Sequence, residues 1–194
     1  GVALGQLGTL AMKQGDLSEA RKLFIEAVDL FRRIGENQHE AIYLHQLGRV
    51  AEEARDWDEA ERCYKQSLTI KESLGDWALA STSCNQLAIV AESAGRPQEA
   101  ERWYLRAIEL GEKDSLPVAQ RNSNLAALYF SQNRFDEAED YANRARLIIE
   151  KYDLSAQPWI LYKLLAQIAE KRGRMDEVRE WRRKEQESFA AFAG

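Results

Sequence analysis

The chain has 194 residues, of which 45% are hydrophobic, so it holds enough apolar side chains for a continuous core and is not a disordered polypeptide. Its net charge of −5, with both signs interspersed, argues against a general affinity for nucleic acid or for anionic membranes. The three prolines fall between helix-like stretches, where they disturb helices least, and helices are therefore expected throughout.

The two cysteines, Cys63 and Cys84, lack C-x-x-C spacing and a nearby histidine pair, so they support neither a zinc site nor a disulfide framework. We expect them to be buried thiols in a reducing compartment. No signal peptide opens the sequence, and its apolar runs are too short to span a bilayer. The expectation is a cytoplasmic protein without membrane contact. Because Gly1 is not a methionine, we also expect a piece of a longer protein, which leaves an upstream signal open.

Two sequence markers recur along the chain in one register. Leu-Gly or Leu-Ala begins at residues 7, 47, 87, 125 and 165, in steps of 40, 40, 38 and 40. Glu-Ala keeps the same steps from Glu19-Ala20 to Glu137-Ala138, and the series closes with Glu177-Val178. Together they predict five repeats, which cover residues 1–40, 41–80, 81–118, 119–158 and 159–194.

Each repeat has the pattern of two helices joined by a tight turn. In four repeats the first helix is followed by a residue that readily takes a left-handed conformation; these residues are Gly15, Gly95, Asn133 and Gly173, whereas the second repeat has Arg55. Asp16-x-x-Glu19 and Asp56-x-x-Glu59 then have the spacing of helix caps.

The second helices carry an aromatic residue in three repeats and a small residue in four, at fixed offsets from the alanine. Spacings of four and three place them on one helix face, which is expected to be buried. The aromatic positions are Phe24, Tyr64 and Tyr104, and the small positions are Ala27, Ser67, Ala107 and Ala145.

This pattern resembles the tetratricopeptide repeat, whose Leu-Gly, Ala, aromatic and Ala positions match Leu7, Gly8, Ala20, Phe24 and Ala27 and their successors. The long period is similar to that of kinesin light chains, spindle adaptors of the Leu-Gly-Asn type and sensor arrays of bacterial signalling ATPases. The resemblance implies an all-α fold, namely an α-solenoid of antiparallel helix pairs wound into a right-handed superhelix. It also implies a concave groove that binds extended or helical peptides.

Helical periodicity predicts which residues of each first helix line that groove. The core positions include Leu7 and Leu47, and the candidate groove residues lie on the opposite side of the helix or, like His45, at the edge of that side. They are Gln6, Thr9, Lys13, His45, Gln46, Arg49, Thr82, Asn85, Gln86, Ser123, Asn124, Lys163, Gln167 and Lys171.

One groove position carries an amide in four repeats, as Gln6, Gln46, Gln86 and Asn124, and then Leu164. A row of amides suits the peptide groups of an extended ligand, and we expect Gln46, Gln86 and Asn124 to hold its backbone. The charges beside them would add specificity. Lys13, Arg49, Lys163 and Lys171 would favour acidic ligand side chains, whereas Glu52 and Glu53 would oppose them. The alternative is that glutamine is simply a good exposed helix former copied by duplication.

Nothing in the sequence indicates catalysis, a cofactor or a metal site. His45 has no second ligand at helical spacing and is expected to be a polar surface residue, and His39 is placed in a connection between repeats. The acidic pair Asp136-Glu137 stands in a first helical turn, where the helix dipole favours it. There is no Gly-rich phosphate loop and no nucleophile with a base at helical spacing.

The fifth repeat has a polar last helix, with Arg182 and Glu185 at the aromatic and small positions, as the end of a solenoid requires. Trp181, Phe189 and Phe192 are either its last core contacts or a docking surface. The expected function is a scaffold that binds a protein or an extended peptide. The alternative is a structural or regulatory array of a larger sensor protein, without a ligand of its own. The oligomeric state is left open.

Overall fold

The computed structural model describes residues 1–111, 115–152 and 158–193. Within these ranges the chain forms ten α-helices and no strand, which confirms the all-α expectation. The helices are α1 (Val2–Lys13), α2 (Leu17–Ile34), α3 (Asn37–Glu53), α4 (Trp57–Ser73), α5 (Trp77–Ser93), α6 (Pro97–Leu110), α7 (Leu116–Ser131), α8 (Phe135–Tyr152), α9 (Pro158–Lys171) and α10 (Met175–Ala193).

The helices group into two compact units, Gly1–Leu110 with α1 to α6 and Gly111–Gly194 with α7 to α10. Inside each unit, a helix packs mainly against the next helix in the chain. Helix pairs that contact chiefly their neighbours define an α-solenoid, as the sequence predicted.

The predicted turns occur where the sequence places them. Gly15, Gly95 and Gly173 all have a positive φ, and Asn133 and Arg55 take the same left-handed conformation at φ 60 and φ 58. The caps are confirmed too, because the Asp16 carboxylate accepts a hydrogen bond from the backbone N–H of Glu19 at 3.0 Å. Asp56 caps α4 in the same way, with the N–H of Glu59 at 3.1 Å.

The small residues of the two markers lie where helices approach closely. The marker alanines Ala20, Ala60, Ala100 and Ala138 are all fully buried. At Gly48 an added Cβ would lie only 2.6 Å from a ring carbon of Tyr64, so a glycine there lets the aromatic ring pack directly on the α3 backbone. The markers are therefore packing positions.

The core contains the repeated leucines except the first. Leu47, Leu87, Leu125 and Leu165 are all buried, whereas Leu7 is 52% exposed. The prediction that Leu7 is a core residue is wrong, because a residue at this position is covered by the helix pair before it and α1 is the first helix of the structure.

The prediction that His39 lies in a connection between repeats is also wrong. Helix α3 already begins at Asn37, so His39 lies in its first turn. Its ring stacks on Phe31 with the centroids 4.6 Å apart. His39 therefore helps α3 to pack on α2.

Candidate binding face on the first helices

The candidate residues of the first unit lie on α1, α3 and α5, at positions that the core leaves accessible. Gln6, Thr9, Lys13 and Arg49 are exposed, while His45, Gln46, Thr82, Asn85 and Gln86 are half-buried. We call this set the first-helix face of the first unit. Half-burial orients a side chain while it leaves part of the surface open to a ligand.

In the second unit the candidate residues lie on α7 and α9. Ser123, Asn124 and Gln167 are half-buried, and Lys163 and Lys171 are exposed. The Asn124 side chain accepts a hydrogen bond from the amide of Gln120 at 3.0 Å. The corresponding repeat position holds Asn124 on α7 and Leu164 on α9.

The amides of the first unit already make hydrogen bonds within the protein. Arg49 donates to Oε1 of Gln46 at 3.2 Å. Asn85 donates to Oε1 of Gln86 at 3.3 Å, and Nε2 of Gln86 donates to Oε2 of Glu52 at 3.3 Å. These contacts fix the amide orientation. Each carbonyl oxygen has a second lone pair with which it accepts another donor.

Two tyrosines reach this face, a feature that the sequence analysis missed because it assigned them to the core. The ring of Tyr64 is buried, but its hydroxyl donates to Oε2 of Glu52 at 2.8 Å. Tyr104 repeats the contact with Glu92 at 3.1 Å. Burial raises the pKa of both phenols, so they remain protonated donors. The spacing of Glu to Tyr, which recurs one repeat later, was the available signal.

His45 is not the surface residue that was expected. It is half-buried with its ring centroid 5.0 Å from that of Tyr64. Burial, followed by the positive charges of Lys71 and Arg49, lowers its pKa to about 3. Its Nδ1 is buried and has no hydrogen-bond partner among the described residues. His45 is therefore a neutral, packed side chain at physiological pH.

Lys71 is a second buried polar residue that sequence reasoning did not find. Only 4% of it is exposed, and its Nζ donates to Oγ of Ser83 at 2.8 Å. Burial lowers its pKa to about 8, although Asp76 and Cys84 act in the opposite direction. One repeat earlier the same two positions hold Phe31 and Tyr43, whose rings stack with centroids 5.4 Å apart. The apolar packing at these positions is thus replaced by a polar pair.

The last helix, α10, combines core contacts with exposed apolar rings. Trp181 stacks on Tyr162 of α9, with ring centroids 6.1 Å apart. Phe189 and Phe192 contact Trp159 but remain 55% and 63% exposed. Trp181 is thus a core contact, while the two phenylalanines cover the start of α9 only in part.

The charged residues of α10 pair along the helix, as expected. Glu180 with Lys184 and Arg183 with Glu187 form salt bridges at 3.7 and 3.9 Å.

In the described ranges, no group of three or more His, Cys, Asp or Glu residues is arranged to hold a metal ion. None of the helices in those ranges is long and apolar enough to cross a membrane.

Sequence comparison supports the repeat assignment. A profile of the tetratricopeptide repeat matches residues 1–73 and 56–113, and a second profile of this repeat matches residues 118–151. The chain therefore belongs to the tetratricopeptide repeat family. A comparison with curated protein sequences gives no match.

Several solved structures share this fold. BtubC from P. vanneervenii has a TM-score of 0.86 at 22% identity, over 98% of this chain and 80% of that one. A P. anserina kinesin light chain with nearly identical TPR-like repeats has a TM-score of 0.77 at 17% identity, over 98% and 95% of the two chains. The resemblance to kinesin light chains is confirmed at the level of the fold.

A third similar structure is a Rap protein complexed with Competence and Sporulation Factor. Its TM-score is 0.74 at 18% identity, over 96% of this chain and 53% of the Rap chain. At such identities the likeness concerns the fold alone.

Proposed function

We propose that this chain is a protein-binding scaffold and that the first-helix face of the first unit holds an extended peptide. The observation that carries the proposal is the recurrence of an amide, Gln6, Gln46 and Gln86, on three successive first helices of one unit. A similar fold occurs in the Rap protein complexed with Competence and Sporulation Factor, which is consistent with a binding role. Cys63 and Cys84 are buried thiols that form no disulfide, which suits a cytoplasmic setting.

Spacing favours an extended ligand over a helical one. Packed helices lie about 8–10 Å apart, so first helices of neighbouring pairs are on the order of 10 Å apart where the pairs are layered. An extended chain advances about 3.3 Å per residue. One amide would therefore meet roughly every third ligand residue, close enough to exchange hydrogen bonds with its backbone.

A structural or regulatory array without a ligand is the second candidate. The bonds of Gln86 to Glu52 and Asn85 favour it, because they give the amide a role inside the protein. The two functions differ in what the amides contribute. A ligand-binding amide is needed for affinity, whereas a structural amide is needed for stability.

The test uses a phage-displayed library of random peptides selected on the intact chain. The best peptide is then titrated against the parent and against the double variant Gln46→Ala, Gln86→Ala. A neutral hydrogen bond contributes about 0.5–1.5 kcal/mol, so the variant should bind about 1–3 kcal/mol more weakly. Helicity should be retained, because alanine favours helices.

The control is Gln66→Ala with Gln98→Ala, which removes two exposed glutamines from the second helices α4 and α6. This variant should bind the peptide like the parent. Equal affinity for the Gln46, Gln86 variant would remove the amides from recognition. Failure to select any peptide on the folded chain would favour the structural array.

A further inference from the structure

We propose that Glu52 and Glu92 bind a cationic side chain, lysine or arginine, of the peptide held by the first-helix face. This inference rests on the proposed function and adds that the bound peptide carries a positively charged residue. It starts from two carboxylates at the same position of consecutive repeats, in the last turns of α3 and α5. Both helices lack a basic residue in that turn.

The two carboxylates are oriented but not neutralised. Tyr64 and Tyr104, which are neutral donors, fix Glu52 at 2.8 Å and Glu92 at 3.1 Å. Among the described residues, the side-chain hydrogen bonds to these two glutamates come from the uncharged side chains of Tyr64, Gln86 and Tyr104. The cation nearest to Glu52 along α3 is Arg49, which donates to Gln46 instead.

The fold has a way to neutralise a glutamate at this position. In the last helix pair the corresponding glutamate is Glu170, and the position of the tyrosine holds Arg182. These two residues form a salt bridge at 3.6 Å. A tyrosine in place of the arginine donates a hydrogen bond to the glutamate but leaves its negative charge, and that difference separates Glu52 and Glu92 from Glu170.

Both charges also stand where the helix dipole is unfavourable. The C-terminal end of a helix carries a partial negative charge, so a carboxylate there is disfavoured without a cation beside it. Both glutamates raise the pKa of Tyr104, although less than burial does. An incoming ammonium or guanidinium group would offset this negative charge and form a charge-assisted hydrogen bond.

Among the described residues, Tyr64 and Gln86 both donate to Oε2 of Glu52, which leaves Oε1 to a ligand. A carboxylate accepts through both oxygens, so a cation can bind without displacing Tyr64 or Gln86. This placement puts the cationic residue beside the amide Gln86, on the same face as the ligand backbone.

The experiment selects a phage-displayed random peptide library on the intact chain and on the double variant Glu52→Gln, Glu92→Gln. Peptides from the parent should carry lysine or arginine at one fixed position, and the variant should not enrich it. The best parent peptide should bind the variant roughly tenfold more weakly, the size expected for a lost charge-assisted contact. The control Glu26→Gln, Glu109→Gln changes the net charge equally at exposed sites on α2 and α6 and should leave affinity unchanged.

A second measurement does not depend on the folding of any variant. Replacing the basic residue of the selected peptide by norleucine should weaken binding to the parent protein by a similar factor, and added NaCl should remove most of the difference. Selected peptides that lack a basic consensus, or that bind equally after either change, would overturn this inference and leave the proposed function standing. If the folded parent selects no peptide, both fail.

Discussion

Arg55 occupies a backbone conformation that suits glycine. Its φ is 58, and the corresponding residue of the next helix pair, Gly95, has φ 74. For a residue with a Cβ, the left-handed region costs about 1–2 kcal/mol. Arg55 is exposed, so its side chain gains little packing in return. The first unit therefore carries a local strain at the turn between α3 and α4.

Arg55→Gly should raise the free energy of unfolding by about 1 kcal/mol, because glycine adopts this conformation without strain. Urea unfolding followed by circular dichroism measures the change. Gly95→Arg is the matched control and should lower the stability by a similar amount through backbone strain. An added Cβ there meets nothing within 4 Å, so no steric clash adds to that cost. If Arg55→Gly lowers the stability, the arginine side chain stabilises the turn more than the strain opposes it.

Single residues also show how far the sequence was informative. The periodic positions Gly15, Ala20 and Gly48 were predictable, since turn conformation and close packing recur with the repeat. The exposure of Leu7 was not, because it depends on the helix pair that covers it. The hydroxyl of Tyr64 and the burial of Lys71 were missed for a related reason. A hydrophobic pattern identifies a buried face, but it does not show where the polar end of a buried side chain reaches the surface or which group it bonds.

At the scale of helices, ion pairs link successive helix pairs at the starts of the second helices. Arg96 precedes α6 and binds Glu99 of its own helix and Glu61 of α4, both at 2.7 Å. Arg174 makes the corresponding bonds to Glu177 and Glu139 in the second unit. At the same repeat position α2 and α4 have the capping residues Asp16 and Asp56. An arginine at this position cannot accept the capping hydrogen bond from the backbone, but it joins two helix pairs through its ion pairs.

The packing of α4 on α5 includes the buried Lys71–Ser83 pair, which makes it sensitive to pH. The pKa of Lys71 is about 8 in the folded chain, against 10.5 for an ordinary lysine. Between these values the unfolded chain binds more protons, so stability rises with pH. Below pH 8 the charged lysine is buried and destabilises the fold by on the order of 3 kcal/mol, at about 1.4 kcal/mol for each pKa unit.

Lys71→Met removes the charge and keeps the length of the side chain. It should stabilise the protein at pH 7, and its advantage over the parent should shrink as the pH rises from 8 towards 10.5, where the lysine of the parent loses its proton in both states. Urea unfolding of both proteins across this range gives the difference. Lys22→Met on the exposed surface of α2 is the control and should show no such trend. A stability difference between the two proteins that is constant with pH would contradict the lowered pKa of Lys71.

At the scale of the whole molecule, a solenoid must cover the apolar side of its last core helices. In the second unit Leu125 and Leu128 of α7 are buried, α9 packs against α7 and α8, and α10 packs against α9. Removing residues 159–194 should therefore expose apolar surface on α7 and α8, and the truncated protein should aggregate or bind a hydrophobic dye. Size-exclusion chromatography and dye fluorescence, with the intact chain as control, measure this. A monomeric truncation of equal stability would show that α10 is not a cap.

Because both cysteines of the first unit are buried, their reaction with an alkylating reagent depends on local opening of the helices. Burial raises the pKa of Cys63 to about 11, and Cys84 is fully buried. The reactive thiolate is therefore scarce in the folded unit, whereas an opened chain presents ordinary thiols to any alkylating reagent. Since one cysteine lies on α4 and the other on α5, the rate at which each is alkylated reports how often its own helix separates from its neighbours. The protein thus carries its own probes of local opening on either side of the Lys71–Ser83 pair.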